Sequence, residues 1–191
     1  RTVEDTLKIK NYTNAHQPES AVVVGGGFIG IEVAENLRNL GINVTLVEAA
    51  EQLMNPLDGD MASFIHAEMR KNGINLMLNT MVEGFSETDH GIDVKIKNAS
   101  AIHTDMVIMA IGVLPETTLA KEAGLELGIK GSIVVNHKME TSVPDIYAVG
   151  DAVQIRNFVT DTDTLLSLAG PANKQGRIAA DNICGGDSRY T

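Results

Sequence analysis

Residues 21–48 constrain this chain more than any other stretch. Ala21-Val22-Val23-Val24 is an apolar run with no polar alternation, which reads as a strand buried on both faces. It breaks into Gly25-Gly26-Gly27-Phe28-Ile29-Gly30. Apolar residues then recur at Ile29, Val33, Leu37 and Leu40, the spacing of one helix face. Gly41 stands where such a helix would end. Asn43 to Val47 reads as a second buried strand. Strand, helix and strand on short links form a crossover unit, and a crossover makes the two strands parallel. The expected fold class is therefore α/β with a parallel sheet.

The glycines and the acid after them carry chemistry. The pattern G-x-G-x-x-G follows a strand and opens a helix, and Glu48 ends the next strand 18 residues after Gly30. That context is what a dinucleotide site requires. Gly25 permits the tight turn, Gly27 leaves the backbone open to a pyrophosphate, and Gly30 lets helix and strand approach. The helix N-terminus offers N–H groups and partial positive charge. Glu48 can accept hydrogen bonds from ribose hydroxyls. A carboxylate repels a 2′-phosphate, and residues 43–53 hold no Arg or Lys, so NADH is favoured over NADPH. An S-adenosylmethionine-dependent methyltransferase also uses a glycine turn and a following acid. The helix starting directly at the third glycine weighs against it.

The remaining pattern is coarser. A short helix is expected over Thr6 to Tyr12. A helix capped by Asp60 should run to Lys71 with Phe64, Ile65 and Met69 on one side, and Ile74 to Leu78 should be a third strand. Met81–Phe85 and Ile92–Ile96 flank Thr88-Asp89-His90-Gly91, a hairpin signature. Thr104 to Ile111 reads as one buried strand, closed by Gly112 and Pro115. Beyond Pro115 the pattern loosens. A short helix at Leu119–Ala123, strands at Ile133–Val135 and Ile146–Val149, an ordered loop at Thr160–Leu168 and a helix from Pro171 to Ile183 are expected. Met61, Met69, Met77, Met106 and Met109 read as core.

Composition removes several function classes. The 25 Asp and Glu against 15 Lys and Arg give a formal charge of −10, which disfavours a nucleic-acid surface or an anionic-membrane binder. The longest apolar run, Met106 to Leu114, is too short to span a bilayer. A single cysteine, Cys184, precludes an internal disulfide and fits a reducing, cytoplasmic setting; it reads as a small buried or neutral thiol. His16, His66, His90, His103 and His137 show no metal-ligand spacing, and no metal site is expected.

Three segments together resemble a known family. VVVGGGFIGIEVAENLRNLGINVTLVE is similar to the nicotinamide-binding domain of the pyridine nucleotide-disulfide oxidoreductases. TSVPDIYAVGDA resembles that family's second flavin motif, and AIGVLPET resembles the motif linking the two. GGGFIGIE and FVTDTDTLLSLAGPANKQGR are similar to the coenzyme A-disulfide reductase, NADH oxidase and NADH peroxidase branch. The resemblance implies a Rossmann-like three-layer NAD(P)-binding domain with a β-hairpin or meander at 21–115, a lead-in at 1–20, and the second half of a FAD-binding domain at 116–191.

It also implies roles for single residues. Gly25, Gly27 and Gly30 would bind the pyrophosphate of NADH or NADPH, and Glu48 its ribose. Phe28, Ile29 and Glu32 would lie near the nicotinamide, with Gly112 lining that site. Gly150 and Asp151 would meet the FAD ribityl chain, and Leu168 and Ala169 would approach the flavin ring. The family's first FAD-binding glycine motif, its redox cysteine and its dimerisation domain are not in these 191 residues, so the chain reads as a central piece of a homodimeric parent. No catalytic residue is expected within it, and residues after 115 should lack the sheet partners they would have in the parent. The acceptor would be a small disulfide such as coenzyme A disulfide, or a polysulfide; oxygen or peroxide is the alternative. A non-catalytic nucleotide-binding module is the reading from another class.

Overall fold

A computed structural model describes residues 2–190. The chain divides into two compact units, 1–112 and 113–191.

The first unit has three layers. Its middle layer is a parallel sheet of β1 (Ser20–Val24), β2 (Asn43–Val47), β3 (Asn75–Met77) and β7 (Met106–Met109), in the order β3-β2-β1-β7. Successive side chains of β1 point to opposite faces, and both faces are covered. Ala21 and Val23 pack beneath α2 (Phe28–Asn39) and α3 (Gly59–Lys71), with Ala34, Leu37 and Met69. Val22 and Val24 pack with Val94 and Ile96 of an antiparallel meander, β4 (Val82–Thr88), β5 (Gly91–Ile96) and β6 (Ile102–Thr104). The absence of alternation in the first strand thus has its cause in burial from two sides.

Several expectations are corrected here. The stretch expected as one strand from Thr104 is two, β6 and β7, in different sheets. The break falls at Asp105, whose Oδ2 accepts from the N–H groups of Glu19 (2.9 Å) and Ser20 (2.8 Å) and from the Ser20 hydroxyl (2.9 Å). The Ser20 hydroxyl leads in holding this carboxyl below its ordinary range, with the two N–H groups adding to it. The helix expected over residues 6–12 is longer, α1 (Val3–His16), because Thr2 and Asp5 form a reciprocal cap. Asp58, not Asp60, occupies the N-cap of α3. Asp60 lies inside the first turn, where its Oδ1 accepts from the Met61 N–H (2.8 Å). Met61 and Met109, expected in the core, are exposed, as are Phe64, Ile29 and Leu40 on the helices.

The second unit has its own sheet, β8 (Ile133–Val134), β9 (Val153–Asn157) and β10 (Thr162–Thr164), in the order β10-β9-β8. Residues after 115, expected to lack the sheet partners they would have in the parent, thus pair among themselves. Ala120 of α4 (Thr118–Glu122) packs with Ile133, Val153 and Ile155. Residues 160–168, expected as a loop, contain β10, which pairs antiparallel with β9. Ile146–Val149 is no strand; it makes one bridge, Tyr147 to Glu140, after the turn at Pro144 and Asp145. The last helix, α5 (Ala169–Ile183), begins before Pro171 and buries Gln175, Ile178, Ala179 and Asn182 along one face. Cys184, expected as a buried or neutral thiol, is exposed at its end.

Asp105→Ala leaves three donors without their acceptor and should lower stability by about 1–3 kcal/mol in a denaturant titration. Because the folded carboxyl is held low, the contribution it makes is complete above its ordinary range near pH 3.8 and is lost as the pH falls below it.

Candidate functional site

In the first unit the candidate site is at the carboxyl end of β1. β2 and β7 flank β1 on opposite sides, and the crevice above such a reversal of strand order is where open α/β sheets bind ligands. The Gly25 N–H donates to the Val47 carbonyl (2.8 Å), and the Ala110 N–H donates to the Val24 carbonyl (2.8 Å). Gly25 has φ +110°, and a Cβ there would overlap the Ala110 carbonyl. A Cβ on Gly30 would overlap the Gly25 carbonyl. Both glycines are thus required by the protein's own packing of α2 on the turn.

Gly27 differs. It is the N-cap of α2, and nothing lies within 4 Å of where its Cβ would be. No side chain caps this end of the helix, so the first-turn N–H groups face outward without a side-chain acceptor. The backbone here is a cradle that a Cβ would fill, and its donor set suits a phosphate. Phe28 and Ile29, both about half exposed, stand on the same turn, with Glu32 exposed one turn further on. Gly112, also exposed, follows β7 two residues beyond Ala110.

Glu48 is more engaged than its position in the sequence implies. Its Oε2 accepts from the Gly26 N–H (2.6 Å), and its Oε1 accepts from the Ala50 N–H (2.7 Å). The carboxylate therefore ties the glycine turn to the loop after β2. An ionised carboxylate has about four acceptor positions, so capacity remains for ribose hydroxyls. Three residues that sequence reasoning passed over complete this corner. The Met54 N–H donates to the Gly26 carbonyl (2.9 Å), Leu53 packs its side chain beside Gly26, and His66 accepts the Leu53 N–H (3.0 Å). His66 had a signal of its own, since it shares the helix face of Ala62 and Met69.

The second unit holds the other candidate residues. Gly150 and Asp151 form a 3-10 turn that leads into β9, with Asp151 exposed. The Gly150 N–H donates to Gln175 Oε1 (2.7 Å). Gln175, only 1% exposed, is a further residue not foreseen; an amide on the apolar face of α5 was its signal. Leu168 is the N-cap of α5, no side chain caps that end, and Leu168 and Ala169 are exposed. The open helix N-terminus and the exposed Asp151 are compatible with a polar, partly anionic cofactor edge.

Comparison with known proteins agrees with this architecture. The family model for the pyridine nucleotide-disulphide oxidoreductases matches residues 1–176, and the chain belongs to that family. An NADH oxidase of Methanocaldococcus jannaschii is 39% identical over the whole chain, and a coenzyme A disulfide reductase of Staphylococcus aureus is 32% identical over 98% of it. The chain spans 42% of the length of each. Among solved structures, reduced CoADR-RHD from Bacillus anthracis superposes with a TM-score of 0.94 at 50% identity, covering 100% of this chain and 34% of that one.

The glycine geometry separates two variants. Gly30→Ala should lose about 3 kcal/mol of stability because α2 must move off the turn. Gly27→Ala should melt within a degree or so of the parent chain, since its new methyl meets no protein atom. Thermal unfolding followed by circular dichroism distinguishes them.

Proposed function

We propose that residues 21–115 bind NADH, that 1–20 lead in from a flavin domain and 116–191 form its second half, and that the whole protein is a flavin-dependent NADH:disulfide oxidoreductase. The observation that carries the reading is Gly27. The protein itself has no need of a glycine there, whereas a pyrophosphate on the α2 N-terminus does.

In this reading the first-turn N–H groups of α2 hold the pyrophosphate, Gly25 and Gly30 set the path of the turn, and Glu48 accepts from the adenosine ribose. Phe28 and Ile29 wall the nicotinamide, with Glu32 and Gly112 beside it, and exclude water from that face. Gly150 and Asp151 meet the ribityl chain of FAD, with Gln175 holding the Gly150 N–H in place. Leu168 and Ala169 bring the α5 N-terminus, a centre of partial positive charge, towards the flavin ring. When bound, the nicotinamide supplies a hydride to the flavin, whose electrons go on to the acceptor.

The acceptor is a small disulfide such as coenzyme A disulfide, or a polysulfide, and the redox cysteine belongs to a part of the protein outside this chain. The likeness to a coenzyme A disulfide reductase supports that choice. The 39% identity to an NADH oxidase supports oxygen or peroxide as the second reading. No helix among the described residues is long and apolar enough to cross a membrane, and the acidic balance fits small-molecule partners rather than nucleic acid. A cytoplasmic homodimer completes the proposal.

Titration of the chain with NADH, read by nicotinamide fluorescence, tests it. Saturable binding is expected, with NADPH weaker by at least about tenfold because Glu48 faces its 2′-phosphate. Gly27→Ala should weaken NADH at least about tenfold while leaving the fold intact. Unchanged affinity in that variant would refute the reading.

A further inference from the structure

His66 lies outside every role assigned so far, yet it stands behind the proposed nucleotide site. It is on α3, half-buried, and its Nε2 accepts the Leu53 N–H at 3.0 Å. A ring nitrogen that accepts carries no proton, so this contact exists only with the neutral imidazole. The Leu53 side chain is fully buried and packs on the Gly26 backbone at the place a Cβ would occupy. The next residue, Met54, donates its N–H to the Gly26 carbonyl (2.9 Å), while the Gly26 N–H is held by Glu48 (2.6 Å). From His66 to Gly27 the path is therefore continuous: imidazole, loop backbone, Gly26, phosphate cradle.

We propose that His66 is a positioning residue for nucleotide binding, a proton-sensitive latch that presses the 50–54 loop onto the glycine turn while neutral and releases it when protonated. The inference rests on the reading of the turn as the NADH site. On protonation, Nε2 gains a hydrogen that points at the Leu53 N–H, so one donor meets another and the loop has to move. Of the charges around His66, Arg70 opposes protonation, and the carboxylates are either engaged by backbone donors or exposed to solvent. Arg70, one turn along α3, repels the protonated ring. In the facing loop Glu48 is bound to two N–H groups, and Glu51 is exposed. Asp58 and Asp60, at the start of α3, are exposed as well. Burial, and after it Arg70, push the imidazole below its ordinary value of 6.5. The latch is therefore closed above about pH 6.5 and opens as the pH falls below it.

The test measures binding of ADP-ribose, an acid-stable probe of the same half of the site, by calorimetry between pH 7.5 and 5.0. The chain should lose about fivefold in affinity across that range, the loss expected of one hydrogen bond. His66→Gln, whose amide oxygen can accept the Leu53 N–H, should bind normally at pH 7.5 and lose the pH dependence. His66→Ala should bind about fivefold more weakly than the parent at pH 7.5, match it at pH 5.0 and show no pH dependence. A His66→Gln variant that keeps the parent's pH dependence would overturn the proposal, as would a parent chain with flat affinity. The Leu53 amide resonance gives an independent readout, and it should titrate with the His66 ring. If it does so while ADP-ribose fails to bind at any pH, the assignment of the turn as a nucleotide site is the part that falls, and the role of His66 in binding falls with it. A Leu53 resonance that ignores His66 overturns the latch itself.

Discussion

β1 has no side open to water, and the first unit is built around that constraint. A strand of small and β-branched residues buried on both faces needs one cover above and another below. The helices supply the first through Ala34 and Leu37, and the meander supplies the second through Val94 and Ile96. Ala21 to Val24 are also each paired with a parallel neighbour on both sides. The chain can leave such a strand only at its ends. At the carboxyl end it does so through a turn so tight that two glycines are needed merely to let α2 start.

The tightness of that turn shapes the candidate site. With Gly25 against Ala110 and Gly30 against Gly25, α2 is aimed so that its unpaired N–H groups face outward above the sheet. Gly26 is clamped from the opposite side by Glu48 and Met54. The turn is thus held by hydrogen bonds of the protein's own, which would keep the ordering cost of binding small. The second unit repeats the device in a looser form. Gln175 reaches from α5 to the Gly150 N–H, and the N-terminus of the same helix, about two turns earlier, has no side-chain cap.

Glu48 has a structural part beside the one proposed for it. Its place after the second strand marks it as a candidate ribose acceptor. Its hydrogen bonds to Gly26 and Ala50 make it a strut as well, so its removal would disturb the turn and not only the ligand. The pair Gly27 and Gly30 separates those two effects more cleanly than any change at Glu48.

The amino-acid sequence alone determined the crossover unit, the glycine turn and the hairpin at 82–96, because each rests on local periodicity and on residues with few conformational alternatives. It also carried the family resemblance, through motifs confined to short segments. What only the tertiary structure decided were the features made by contacts between distant segments. Asp105 splits one apolar run into two strands because Glu19 and Ser20, far away in sequence, present donors to it. β10 was obscured because Thr162-Asp163-Thr164 is polar and becomes a strand by pairing with β9. Gln175 and His66 found their roles in the same way. Each is a polar side chain on a helix face, and what it does depends on which backbone N–H the fold brings within 3.0 Å of it.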